Sequence, residues 1–81
     1  MNATNFLTAY LTAIGIDPNA YELKESQDSL GYLISVSISK DNTKLGILIG
    51  KKGRNLRLLK QLLRVIGFNE RILPFLIIKI I

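Results

Sequence analysis

Ile49-Gly50-Lys51-Lys52-Gly53-Arg54 sets two glycines around two lysines at the point where one apolar helical pattern stops and another begins. Glycine has no Cβ and accepts backbone dihedrals that other residues avoid, so the spacing predicts a sharp corner between two helices with cations at its tip. Beyond the corner, at about 100° per residue, Leu56, Leu58, Leu59, Leu62, Leu63, Val65 and Ile66 fill one half of a helical wheel. Arg54, Arg57, Lys60, Gln61 and Arg64 fill the other half. Gly67 followed by Phe68 predicts the end of this helix as a glycine C-cap with its hydrophobic contact. Before the corner, the side chain of Asp41 or Asn42 can accept the free amides of a short helix that runs through Ile49.

Working outward, Tyr32, Ile34, Val36 and Ile38 alternate with Leu33, Ser35, Ser37 and Ser39, giving one aliphatic and one mostly hydroxylated face. A period of two is that of a strand with one buried side. Residues 27–31 are small and polar and read as a loop, and Tyr21 and Leu23 alternating with Glu22 and Lys24 read as a short strand before it. Asp17-Pro18-Asn19 predicts a turn. Phe6, Leu7, Tyr10, Leu11 and Ile14 recur at three- and four-residue intervals, predicting a helix from about Asn2 or Thr4 to Ile14 that Gly15 ends. At the other end Pro74 opens a last strand to Ile81, with Leu76, Ile78 and Ile80 toward the helices and Phe75, Ile77 and Ile81 outward. The order is α-β-β-α-α-β.

Eighty-one residues suit one domain spanning 1–81, and a chain of that length buries only roughly 60% of its unfolded surface. Function must therefore sit on the outside of a single core. The 48% apolar fraction is too high for a disordered chain, and no uninterrupted apolar run approaches the ~18 residues of a spanning helix. No basic-apolar-small leader opens the chain and cysteine is absent, so a cytoplasmic protein without membrane association is expected. Net charge is +5, unevenly placed: residues 1–39 hold one lysine against four acids, whereas residues 40–64 hold eight lysines and arginines against Asp41 alone. Such a basic stripe beside an acidic half fits a phosphate-binding surface. Lys51 is followed by Lys52 where a P-loop needs a serine or threonine, and Gly46 to Gly50 encloses too few residues for one. With no histidine or cysteine and with its acids scattered, the chain offers no nucleophile, general base or metal cluster, so neither an enzyme nor a cofactor is expected.

The element order, with Gly-x-x-Gly between the second and third helices, resembles the type II KH domain over essentially the whole chain. Leu45-Gly46-Ile47-Leu48-Ile49-Gly50-Lys51-Lys52-Gly53 followed by Leu56, Leu59 and Gln61-Leu62 looks like the KH domain of the bacterial KhpB (Jag) proteins, with the KhpA proteins next. Phe6-Leu7 and Ile14-Gly15-Ile16 fit the first helix of that domain. The resemblance implies an α+β, RNA-binding domain: a three-stranded sheet packed on one face by three helices, pairing as a homodimer or as a heterodimer with another KH protein. The family often has an acidic residue after the second glycine, where this chain has Arg54. KhpB proteins also continue into a further single-strand-binding domain that these residues do not contain.

A single strand needs a basic edge for its phosphates and an apolar groove for its bases. Gly50 and Gly53 let a phosphate approach the main chain, the first amides of the following helix point outward, and Lys51 and Lys52 offset the carbonyl end of the preceding one. Arg54 and Arg57 extend the edge, and Ile47, Ile49 and Leu58 supply apolar wall. Gly46 costs about 1 kcal/mol inside a helix, so something approaches its backbone: a base of the bound strand, or the following helix in close packing. The expected ligand is single-stranded RNA, with single-stranded DNA open because both carry the same phosphates. The alternative is a protein-interaction or dimerisation module that uses Phe75, Ile77 and Ile81.

Overall fold

The alternating segment forms the central strand of a three-stranded sheet. The computed structural model describes residues 2–28, 31–69 and 74–81, with α1 (Ala3–Ala13), β1 (Tyr21–Asp28), β2 (Gly31–Ile38), α2 (Leu45–Ile49), α3 (Arg54–Asn69) and β3 (Pro74–Ile80). β2 pairs antiparallel with β1 (Leu23 opposite Val36) and parallel with β3 (Val36 opposite Ile78), so the sheet is mixed, in the order β1-β2-β3. A parallel neighbour needs a long crossover, and the stretch carrying α2 and α3 supplies it. Ile81 locks the far end, its N–H donating to the Ile38 carbonyl at 2.9 Å while its carbonyl accepts from Lys40 N–H at 2.8 Å.

Ile34, Val36 and Ile38 of β2 and Leu76 of β3 are buried on one face of the sheet against Ala3, Leu7 and Leu11 of α1 and Leu59 and Leu63 of α3. The buried α1 residues recur every four positions, and each fully buried leucine contributes roughly 1.5–3 kcal/mol. Asn2 caps α1, its side chain accepting Asn5 N–H at 2.7 Å. At the other end, Gly15 N–H donates to Thr12 O and Ile16 N–H to Leu11 O, both at 3.0 Å, with Gly15 at φ +94°. This is a Schellman closure, and the buried Ile16 and Leu11 supply its hydrophobic contact.

Several expectations are corrected. The helix layer is two full helices, α1 and α3, with the expected short helix α2 reduced to five residues, in place of the three helices that the resemblance implies. No side chain caps α2; Asn42 instead accepts Lys44 N–H at 2.8 Å, forming the turn that leads in. β1 is eight residues long and pairs through Asp28 with Gly31, so Gln27, Asp28 and Gly31 belong to a hairpin, and only residues 29–30 of the expected loop lie outside the described residues. α3 runs through Gly67 to Asn69, because Gly67, one turn beyond Leu63, is itself buried on the inner stripe. Phe68 consequently points outward, 81% exposed. Leu58, Leu62 and Val65 also remain exposed, because they lie off the stripe of Leu59, Leu63 and Gly67 that meets the core. Ile80, expected inward, is half exposed at the end of the strand.

Candidate nucleic-acid interface

Gly50 ends α2 with φ 77° and ψ 174°, a combination open essentially to glycine alone. Space imposes the same choice: a Cβ there would come within 2.7 Å of Asn55 Cγ and 2.8 Å of the Asn55 backbone nitrogen. Asn55 is the residue sequence reasoning missed. Its Nδ2 donates to the Ile47 carbonyl at 2.8 Å, so the first turn of α3 caps the carbonyl end of α2 and fixes the angle between them. The signal lay in the sequence only as a hydrogen-bonding residue two positions past Gly53.

Between the glycines the chain makes a tight 3₁₀ turn, closed by Gly53 N–H to Gly50 O at 3.1 Å and by Arg54 N–H to Lys51 O. These two amides are therefore used inside the turn, and the expectation of unpaired amides at the helix start fails for both. Lys52 sits at φ 55° and ψ 27°, the left-handed region, and is the one non-glycine residue with positive φ among those described. A β-carbon in that region costs about 1–2 kcal/mol. The strain falls at the tip of the corner, on an exposed lysine.

Lys51, Lys52, Arg54 and Arg57 are all exposed, and among the described residues none is ion-paired with a carboxylate. Gly46 faces open space, since a Cβ there would meet nothing within 4 Å, which removes close helix packing as its reason. Ile47 and Leu58 are exposed and Ile49 is half-buried. None of these three lines the cavity described next. The cavity found among the described residues lies elsewhere, beside β3: about 480 Å³, lined by Leu33, Phe75, Leu76 and Ile77 with Lys60 and Arg64 of α3. Phe75 and Ile77, expected to face outward, do so at 42% and 44% exposure, and Ile81 is exposed beyond the end of the strand.

No group of acidic, histidine or cysteine side chains among the described residues could hold a metal, and none of the described helices is long and apolar enough to cross a membrane. No family model matches the chain, nor does any curated protein or solved structure.

Proposed function

We propose that this chain is a non-catalytic, single-stranded RNA-binding domain of the type II KH kind, which grips phosphates at the Gly50-Lys51-Lys52-Gly53 corner. The observation that carries the reading is Lys52, held in a strained left-handed conformation at the tip of a glycine-bracketed turn. An ordinary surface turn would place glycine, asparagine or aspartate there. A lysine in that position is explained by an anion at its ammonium group. Lys51 offers a second cation, and Arg54 and Arg57 continue the edge on the first turn of α3, whose amide end also favours negative charge. Gly46, one helical turn before Gly50 and open to solvent, leaves room for a base or ribose beside the clamp.

The test is titration of the whole protein with a short mixed-sequence RNA, followed by backbone amide shifts. Shifts should centre on residues 46–58, and single strands should bind better than duplex. Affinity should fall with salt at a slope of about −0.7 per phosphate neutralised, with roughly four nucleotides held. Lys51→Asp combined with Lys52→Asp should abolish binding without unfolding the protein, because both side chains are solvent-exposed. Parent-like affinity in that double variant would end the proposal.

A second reading, assembly with a partner protein or a second copy, is favoured by one observation: β3 is an edge strand that exposes Phe75 and Ile77, with Ile81 after it. Sedimentation of the parent beside Phe75→Ser with Ile77→Ser decides it, and a monomer in both removes it.

A further inference from the structure

The helices α1 and α2 end in different ways. At the C-terminus of α1 the chain's own amides close the last carbonyls: Gly15 N–H donates to Thr12 O and Ile16 N–H to Leu11 O, both at 3.0 Å. At the C-terminus of α2 the ladder reaches Gly50 N–H, which donates to Gly46 O at 2.8 Å, and goes no further. The next bond of an α-helix would run from Lys51 N–H to Ile47 O, four residues back. Gly50, at φ 77° and ψ 174°, swings the Lys51 amide out of line, and the Ile47 carbonyl accepts from Asn55 Nδ2 instead, at 2.8 Å. A Cβ on Gly50 would lie 2.7 Å from Asn55 Cγ, so the asparagine fills the space that a side chain at position 50 would need. Among the described residues, neither Lys51 N–H nor Lys52 N–H donates to a backbone carbonyl, whereas those of Gly53 and Arg54 do.

We infer that Asn55 is a positioning residue of the clamp: by holding the Ile47 carbonyl, it leaves the consecutive N–H groups of Lys51 and Lys52 free to donate to a phosphate. This rests on the RNA-binding reading above and adds to it a role for a side chain that does not touch the ligand. Successive N–H groups in a tight turn form a concavity that takes an anion. Donors fixed before binding also lose little freedom when the phosphate arrives. Without Asn55, the Ile47 carbonyl is an acceptor one step along the ladder for the Lys51 N–H. Drawing that amide into the ladder would lengthen α2 and remove a donor from the ligand. A cap that served stability alone has a simpler form in this chain, the one that ends α1.

The experiment uses the full chain and a mixed-sequence RNA tetranucleotide. Asn55→Leu keeps a branched side chain beside Gly50 and removes the donor. Its affinity, measured by fluorescence anisotropy at several salt concentrations, should fall about tenfold, the effect of one hydrogen bond to a charged group. The salt slope should stay at the parent value, because every cation is kept. In the free variant the Lys51 amide should exchange with solvent more slowly than in the parent, since it takes the vacated carbonyl. A role in stability alone lowers the urea midpoint and nothing else; affinity or Lys51 exchange left at the parent value overturns the inference while the clamp stands. A lower affinity with a shallower slope would mean that the lysines have moved, and overturns it too. The parent supplies a check that does not depend on the variant folding: saturating RNA should slow exchange of the Lys51 and Lys52 amides, and exchange unchanged by bound RNA overturns the inference. Failure of the parent to bind RNA overturns this inference and the reading beneath it together.

Discussion

Replacing Lys52 with glycine is expected to make the protein more stable and a weaker RNA binder. The native dihedrals, φ 55° and ψ 27°, lie where a side chain with a Cβ costs about 1–2 kcal/mol and glycine costs nothing. Against this gain stands the larger entropy glycine loses on folding, about 0.4–1 kcal/mol. The net stabilisation is about 0.5–1 kcal/mol, and no packing term complicates it because the lysine is exposed. In a domain of this size 1 kcal/mol moves Tm by about 4–8 °C, so a rise of roughly 2–8 °C is expected. Thermal and urea unfolding followed by circular dichroism measure it. Lys51→Gly is the control: Lys51 is outside the positive-φ set, so that substitution brings only the entropy loss and should destabilise. Binding moves the other way, with Lys52→Gly losing one phosphate contact and about 0.7 from the magnitude of the salt slope. A Lys52→Gly protein no more stable than the parent would refute the strain argument and, with it, the reason for singling out this lysine.

Gly46 and Gly50, two of the three glycines of the region, should separate cleanly. Gly50→Ala combines a forbidden dihedral pair with overlap on Asn55, and should lose on the order of 3 kcal/mol by urea denaturation; a loss below about 1 would show that the corner can relax. Gly46→Ala meets open space in a helix and should gain about 0.5–1 kcal/mol, yet bind RNA less well; unchanged affinity would take Gly46 out of the site. Away from the corner, the Glu25 carboxylate is held below the ordinary glutamate range, chiefly by a hydrogen bond from the Thr4 side chain, then by one from Tyr32, with slight desolvation opposing. A lowered folded pKa contributes stability above the unfolded glutamate pKa, and that contribution is lost as pH falls through the folded value. Carboxyl NMR titration should show Glu25 titrating low in the parent and normally in Thr4→Val with Tyr32→Phe; an ordinary pKa in the parent sinks this.

What could be read in the sequence was what local chemistry decides. The β2 alternation, the α1 stripe with Gly15 at its end, Pro74 at the start of β3 and the glycine corner each follow from residues within one or two turns of one another. What could not be read depended on partners distant in the chain. The wheel of α3 placed Leu58 and Leu62 inward as readily as Leu59 and Leu63, because only the width of the opposing layer decides how much of an apolar half is covered. Gly67 looked like a stop signal for the same reason, since its burial against the core is invisible to a local reading. In the site, the cations and glycines of the corner were legible. Asn55 was not, because its role exists only once α2 and α3 meet. Nor was the β3 cavity, which joins β2, α3 and β3.

The departures from local consistency have a common location. Lys52 holds a strained backbone, Gly46 weakens a helix of five residues, and Arg54, Arg57, Lys60 and Arg64 set like charges at i,i+3 and i,i+4 spacings, each such pair costing about 0.2–0.5 kcal/mol. A solvated helix face would interleave glutamates at those spacings and gain stability from them. Elsewhere the chain obeys the local rules: α1 is capped at both ends, the buried faces of β2 and β3 meet the core, and among the described residues no buried side-chain polar atom lacks a partner. Departures that cluster on one surface, within residues 46–64, point to a function located there. A polyanion relieves the larger share of them at once, because its phosphates neutralise the like charges along α3 and give the exposed Lys52 ammonium a partner. A protein partner on the exposed β3 side chains would leave every one of those costs in place, and for that reason the corner, not the sheet edge, carries the assignment.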